Sequence, residues 1–208
     1  MGITEDYTSG PEYSSKLFLN ILDIFHSIIL AISCVLIVFT FLVRISIVDG
    51  NSMNNTLSNN DVLLVSNPLF TYTPKQGDIV VIDSDRFDDP IVKRVIATEK
   101  QLVKIKISST LYEVYVDNEV IEDDYAYYDS KYQLILPSNK SFTKTFDVDE
   151  NCFIYEATVP DGCIFVMGDN RNNSFDSRSE TINFVNCHFV VGKVFLRVLP
   201  FGKIGTVK

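Results

Sequence analysis

The sequence predicts a mainly β domain attached behind one N-terminal transmembrane helix. Two observations carry that prediction. From Ile24 to Val43 the chain reads IFHSIILAISCVLIVFTFLV, twenty residues without a formal charge, which as a helix span about 30 Å, the thickness of a hydrocarbon core. After Arg44 the pattern changes to short runs of β-branched and aromatic residues: RISIV, DVLLV, DIVVI, IVKRVI, LVKIKI, YEVYV, QLILP, CIFVM and FVVGKVFLRV. Turn formers separate them at Asn59-Asn60, Asn67-Pro68, Gly77-Asp78, Asp89-Pro90 and Asp161-Gly162, which is the punctuation of an all-β segment. At 208 residues and 46% apolar content, the chain holds one soluble domain with its own core plus an attachment.

Taken in order, residues 1–16 form a short tail, 17–43 the anchor and 44–208 the domain. A cleaved leader is the rival for the apolar run, but the run is long for one and no Ala-x-Ala follows, which favours an anchor. The flanks offer Lys16 against Glu5, Asp6, Glu12 and Asp23, with Arg44 just beyond, so the positive-inside signal is nearly absent. His26 lies one turn into the span, where interfacial placement is the simpler reading. Residues 122–151 are rich in tyrosine and acidic side chains; an accessory hairpin region packed on the main sheet is favoured over a partner surface. The net charge of -9 repels nucleic acid and anionic bilayers, so membrane contact must be apolar. Cys34 is in the span, leaving Cys152, Cys163 and Cys187, an odd number that implies no disulfide framework. Cys152 and Cys163 could join across a hairpin or remain free buried thiols.

Ser52, in VDGNSMNNTL just past the span, is the candidate nucleophile. It needs a base within hydrogen-bond reach. The chain has two histidines: His26 is in the span, and His188 follows Cys187 in an expected strand, so those two side chains face opposite ways. A histidine base at Ser52 would require His188 to arrive by tertiary folding; lysine is the other candidate, yet at an ordinary pKa near 10.4 only about 0.04% of the amine is neutral at pH 7. Burial in an apolar strand lowers that pKa, and PIVKRVIA supplies such a strand. There Lys93 shares a face with Ile91 and Val95, whereas Arg94 alternates to the side of Val92 and Ile96. The competing reading makes both solvated charges on an edge strand. The segment GDNRNNSFDSR, residues 168–178, is either a plain turn or a compact loop in which Asp176 and Arg178 pair with Asp169 or Arg171 and present Ser174 to a neighbouring strand.

Taken together, GNSMNNTL, GDIVVI, IVKRVIA and VPDGCIFVMGDNRNNSFDSR, in this order behind an anchor, resemble the bacterial type I signal peptidases, membrane-bound Ser-Lys endopeptidases of the S26 family. The resemblance covers nearly all of the chain after residue 20, and its last motif is the most specific. It implies a β-sheet or barrel catalytic domain on the extracytoplasmic face and a cytoplasmic tail. It implies Ser52 as nucleophile, Lys93 as general base, and Ser174 hydrogen-bonding the amine. Met53 would shape the substrate cleft, and the Ser52 N–H would serve the oxyanion. Asp169, Asn170, Arg171, Asp176, Arg178 and Arg94 would form the structural motif around the pair. Gly50 stands where some members carry a second serine that donates to the oxyanion. No metal or other cofactor is implied. The implied partners are secretory preproteins with small residues at the first and third positions before the cut, membrane lipid and a secretion translocon, with no nucleic acid. Asn55 replaces the family's usual proline, and Ala97 and Thr181 replace glycines. Asn55 favours a second reading, a catalytically weak assembly factor such as those of pilus biogenesis. A soluble Ser-Lys self-cleaving repressor would have no use for the anchor.

Overall fold

The computed structural model describes residues 11–66, 72–86, 88–109, 111–129 and 133–207; tail residues 1–10 and the expected turn at Asn67-Pro68 lie outside them. The chain divides into two units, Met1–Leu42 and Val43–Lys208. In the first, α1 (Pro11–Leu42) is a single helix whose segment Phe18–Leu42 is long and apolar enough to cross a membrane. Its described side chains from Phe18 onward are exposed all round, the pattern of a helix that has no polar face to give to water. Ser27 and Thr40 donate their hydroxyl hydrogens to the carbonyls of Asp23 at 2.9 Å and Leu36 at 2.8 Å, which satisfies both hydroxyls within the helix.

The second unit is built from β1 (Val43–Ile47), β2 (Val62–Ser66), β3 (Ile79–Ile82), β4 (Ile91–Ala97), β5 (Leu102–Ile107), β6 (Tyr112–Val116), β7 (Glu119–Val120), β8 (Thr143–Asp147), β9 (Cys152–Thr158), β10 (Cys163–Met167), β11 (Val185–Asn186), β12 (Val190–Leu199) and β13 (Gly205–Thr206). One sheet runs β1-β2-β12-β3-β4-β10-β11 with β13 on β12, and the other runs β7-β6-β5-β9-β8. All named strand pairs are antiparallel. The strands follow their side-chain patterns. In β5, Val103, Ile105 and Ile107 are buried while Leu102, Lys104 and Lys106 are half-buried, the period-2 signature of a sheet with one covered face. In β3 all four residues are buried, as an unbroken apolar run in mid-sheet requires.

The two sheets share a core in which Ile96 and Ala97 of β4 and Phe165 and Met167 of β10 meet Val103, Ile105, Tyr155 and Ala157. A second cluster joins Met53 and Leu57 to Leu63, Val65, Ile79, Val81 and Val194. A third packs Val80, Ile82, Val95, Ile164 and Val166. Strand β4 therefore contributes to the clusters on both of its faces, which is why a polar side chain on it is removed from water.

Two expectations need correction, and two open alternatives close. QLILP forms no strand: Leu134 packs against the large core while Leu136 is exposed, and the following Ser138 and Asn139 amides donate to Arg178 O. Pro137 has no N–H to give a ladder. Cys187–Phe189 is a 3-10 turn capped by the Asn186 side chain, so alternation across a strand does not govern Cys187 and His188. Lys93 and Arg94 are not solvated edge charges, because both side chains are buried. All four cysteines are free, so the Cys152–Cys163 link is not formed.

Candidate active site

Lys93 leaves β4 on the face opposite Arg94, and its amine is 3% exposed as a residue. Its Nζ donates to Ser52 Oγ at 2.8 Å and to Val92 O at 3.0 Å. Ser52 sits on a tight turn in which the amides of Thr56 and Leu57 both donate to Met53 O and that of Asn54 donates to Asn51 O. Met53 and Leu57, one helical turn apart, are both buried in the second cluster. Met53, expected to shape a substrate cleft, is 1% exposed and packs the Ser52 turn against the second cluster.

Burial pushes the Lys93 amine down to about 8 from 10.5; Asp176 pulls it back up, Arg178 pushes it further down, and Asp169 pulls it up. The neighbouring charges largely cancel because each carboxylate is already paired. Asp169 takes a bidentate bond from Arg94 at 2.8 and 2.7 Å, and Asp176 takes one from Arg178 at 2.8 and 2.7 Å. Desolvation is left to decide the outcome. With a pKa of about 8, roughly 9% of the amine is neutral at pH 7, some 200-fold more than in free lysine. Burial pushes the Asp176 carboxyl up, but Arg178 and the Gly168 N–H outweigh it and hold Asp176 below its ordinary value.

The loop from Gly168 to Arg178 is compact, but its pairs differ from those expected. Asp176 binds Arg178 rather than Asp169 or Arg171. Asp169 reaches across to Arg94 and accepts the Thr56 hydroxyl at 2.5 Å, which ties the Ser52 turn to β4. Arg171 pairs with Asp123 at 2.5 and 2.6 Å. The tyrosine-rich stretch thus braces the loop. Tyr125 stacks on the Arg94 guanidinium at 3.9 Å, and Tyr127 exchanges backbone bonds with Asp169 and Arg171. Thr56, Asp123 and Tyr125 escaped the sequence reading; the tyrosine and acid content of residues 122–151 was the signal for the last two, and Thr56 had none beyond its place in the Ser52 motif.

Other expected site residues are placed as follows. Ser174 Oγ is buried beside Asp176, whose carboxyl it helps hold below the ordinary value; the lysine amine donates to Val92 O. Ser174 is nonetheless close by, since a Cβ on Gly168 would lie 2.2 Å from Ser174 Oγ and 2.4 Å from Ser52 O. Gly50 is exposed at φ +92, where nothing fills the space of a side chain; its N–H is taken by Asn59 Oδ1 at 2.8 Å. Asn170 holds the Ser52 carbonyl through its N–H at 3.0 Å. Among the described residues no cluster of three or more His, Cys, Asp or Glu side chains is arranged to hold a metal ion.

A buried amine lies against a serine hydroxyl between two neutralised ion pairs, an arrangement in which lysine can serve as a base toward serine. The family model described as signal peptidase, peptidase S26, matches residues 21–199, and the chain belongs to that family of serine peptidases. It is 32% identical over 191 residues to signal peptidase I P of Bacillus subtilis subsp. natto, covering 91% of this chain and 95% of that one. It is 34% identical over 154 residues to a signal peptidase I of Bacillus amyloliquefaciens, covering 74% and 72%. A crystal structure of a signal peptidase I from Enterococcus faecalis V583 is 23% identical with a TM-score of 0.38, over 60% of this chain and 98% of that one.

Proposed function

We propose that this chain is a membrane-anchored serine endopeptidase that removes N-terminal signal peptides from secreted preproteins through a Ser52–Lys93 dyad and an acyl-enzyme. The observation that carries the reading is the 2.8 Å contact between the buried Lys93 amine and Ser52 Oγ. The neutral amine takes the Ser52 proton as Oγ bonds to the scissile carbonyl carbon. The C–N bond then breaks, and the departing amine takes that proton from Lys93. Water attacks the resulting ester, giving its proton to the same amine, and Ser52 Oγ recovers a proton as the C–O bond breaks. Val92 O holds one amine hydrogen throughout, which turns the lone pair toward Ser52. The Ser52 N–H donates to the oxyanion, an interaction worth about 3 to 4 kcal/mol in comparable sites. This chemistry requires no metal or organic cofactor.

The substrate binds extended, adding a strand beside Lys93. In support, β10 pairs with β4 only at Arg94, Val95 and Ala97, so the edge from Ile91 to Lys93 has no strand partner on that side among the described residues. The small residues at the first and third positions before the cut enter shallow pockets there. In this reading α1 crosses the membrane once, the tail of residues 1–16 is cytoplasmic and residues 44–208 act outside, with lipid and a secretion translocon as neighbours.

The test is cleavage of a purified preprotein by the full chain in detergent. Wild type is expected to release the mature protein, and Ser52→Ala and Lys93→Met to release none. Unchanged cleavage in either variant removes the dyad, and no turnover by wild type leaves the assembly-factor reading.

A further inference from the structure

We infer that Asn170 is a positioning residue that aims the Ser52 N–H at the oxyanion, an inference that rests on the Ser52–Lys93 reading above. Asn170 is 1% exposed and grips the nucleophile turn twice. Its backbone N–H donates to Ser52 O at 3.0 Å, and its side-chain Nδ2 donates to Asn51 O at 3.1 Å. These carbonyls flank the nucleophile's Cα on either side. The Asn51 carbonyl belongs to the same peptide unit as the Ser52 N–H. Because that unit is planar and trans, pinning its oxygen from one side aims its N–H to the other. A bond accepted at the carbonyl also polarises the peptide and makes its N–H a stronger donor. Asn170 acts through this peptide and touches neither substrate nor the reacting atoms.

The other end of the amide supports the assignment. Asn170 Oδ1 is buried without a partner. Exchanging oxygen and nitrogen would set two carbonyl oxygens against each other at 3.1 Å, so the amide orientation follows from the bond to Asn51. A buried acceptor left unbonded is destabilising. Packing alone gives no reason for an amide at this position, whereas the grip on Asn51 O does.

Two variants of the full chain test this in detergent. Asn170→Ala removes the side-chain donor and keeps the backbone bond to Ser52 O; Asn170→Asp keeps the size and opposes a carboxylate to Asn51 O. The readouts are kcat, KM, the pH profile, the melting temperature and the affinity for a peptide boronic acid. That reagent bonds to Ser52 Oγ and places an oxygen in the oxyanion site. Both variants are expected to lose about ten- to a hundred-fold in kcat and in boronate affinity, with KM within about two-fold of wild type. Asn170→Ala should keep the wild-type pH midpoint and melting temperature. A kcat within about three-fold of wild type in both variants overturns the inference. So does a loss of kcat with boronate affinity unchanged, or with a displaced pH midpoint in Asn170→Ala. Should Asn170→Ala not fold, Asn170→Asp decides by kcat, KM and boronate affinity. Ser52→Ala and Lys93→Met separate the two levels: cleavage by either sinks the dyad itself, whereas two dead controls beside fully active Asn170 variants sink this inference alone.

Discussion

Replacing Lys93 by Met removes a buried charge that the folded protein holds at a cost. The amine's pKa is about 8 in the folded state against 10.5 ordinarily. At about 1.4 kcal/mol per unit, the folded protein is destabilised by about 3 kcal/mol whenever the amine is charged in both states. Between pH 8 and 10.5 the unfolded chain binds more protons than the folded one, so wild-type stability rises with pH through that window. Below pH 8 the penalty is complete and constant. Met has no such penalty, and its lost bonds to Ser52 Oγ and Val92 O cost roughly 1 kcal/mol each. The diagnostic quantity is therefore how the difference changes with pH. The stability of Lys93→Met minus that of wild type should shrink by roughly 2 kcal/mol between pH 7 and pH 10. Denaturant unfolding of both full-length proteins in detergent at the two pH values measures this, and groups common to both proteins cancel. A difference constant within about half a kcal/mol would refute the desolvation argument.

Two further outcomes follow from the same site. Asp176→Asn removes the carboxylate that most supports the lysine's charge and strands Arg178, so the pH midpoint of cleavage should move below about 8 and folding should weaken by about 3 to 5 kcal/mol. A midpoint displaced upward in a pH–rate series contradicts this. Gly168→Ala puts a methyl group 2.2 Å from Ser174 Oγ and 2.4 Å from Ser52 O. The nucleophile must then move, and cleavage should fall by about a hundred-fold; a variant that keeps half its rate contradicts the close approach.

What was legible in the sequence is what local pattern encodes. Alternation in IVKRVIA placed Lys93 and Arg94 on opposite faces, while that strand alone fitted buried and solvated charges equally well. Distant pairings were not legible. Asp169 binds Arg94, 75 residues away, and Arg171 binds Asp123, 48 residues away, whereas spacing within GDNRNNSFDSR favours pairs inside the loop. Among the described residues, Asp176–Arg178 is the one ion pair inside that loop. QLILP misled because its apolar content resembles a strand while a strand also needs a partner for its backbone. In β9, Glu156 and Ala157 blurred an alternation whose buried members are Cys152, Tyr155 and Ala157. The cleft role of Met53 came only from the family resemblance, and its side chain is buried in the core.

The central claim is that the Lys93 amine sheds its proton near neutral pH and serves Ser52. The most direct measurement is kcat/KM of the full-length protein for a signal-peptide substrate across the pH range, since that ratio titrates the free enzyme's base. The rate is predicted to rise tenfold per pH unit, to level off above about pH 8, and to vanish in Lys93→Met. A half-rise near about 6.5, where an imidazole titrates, or a rate that ignores pH altogether, would contradict it.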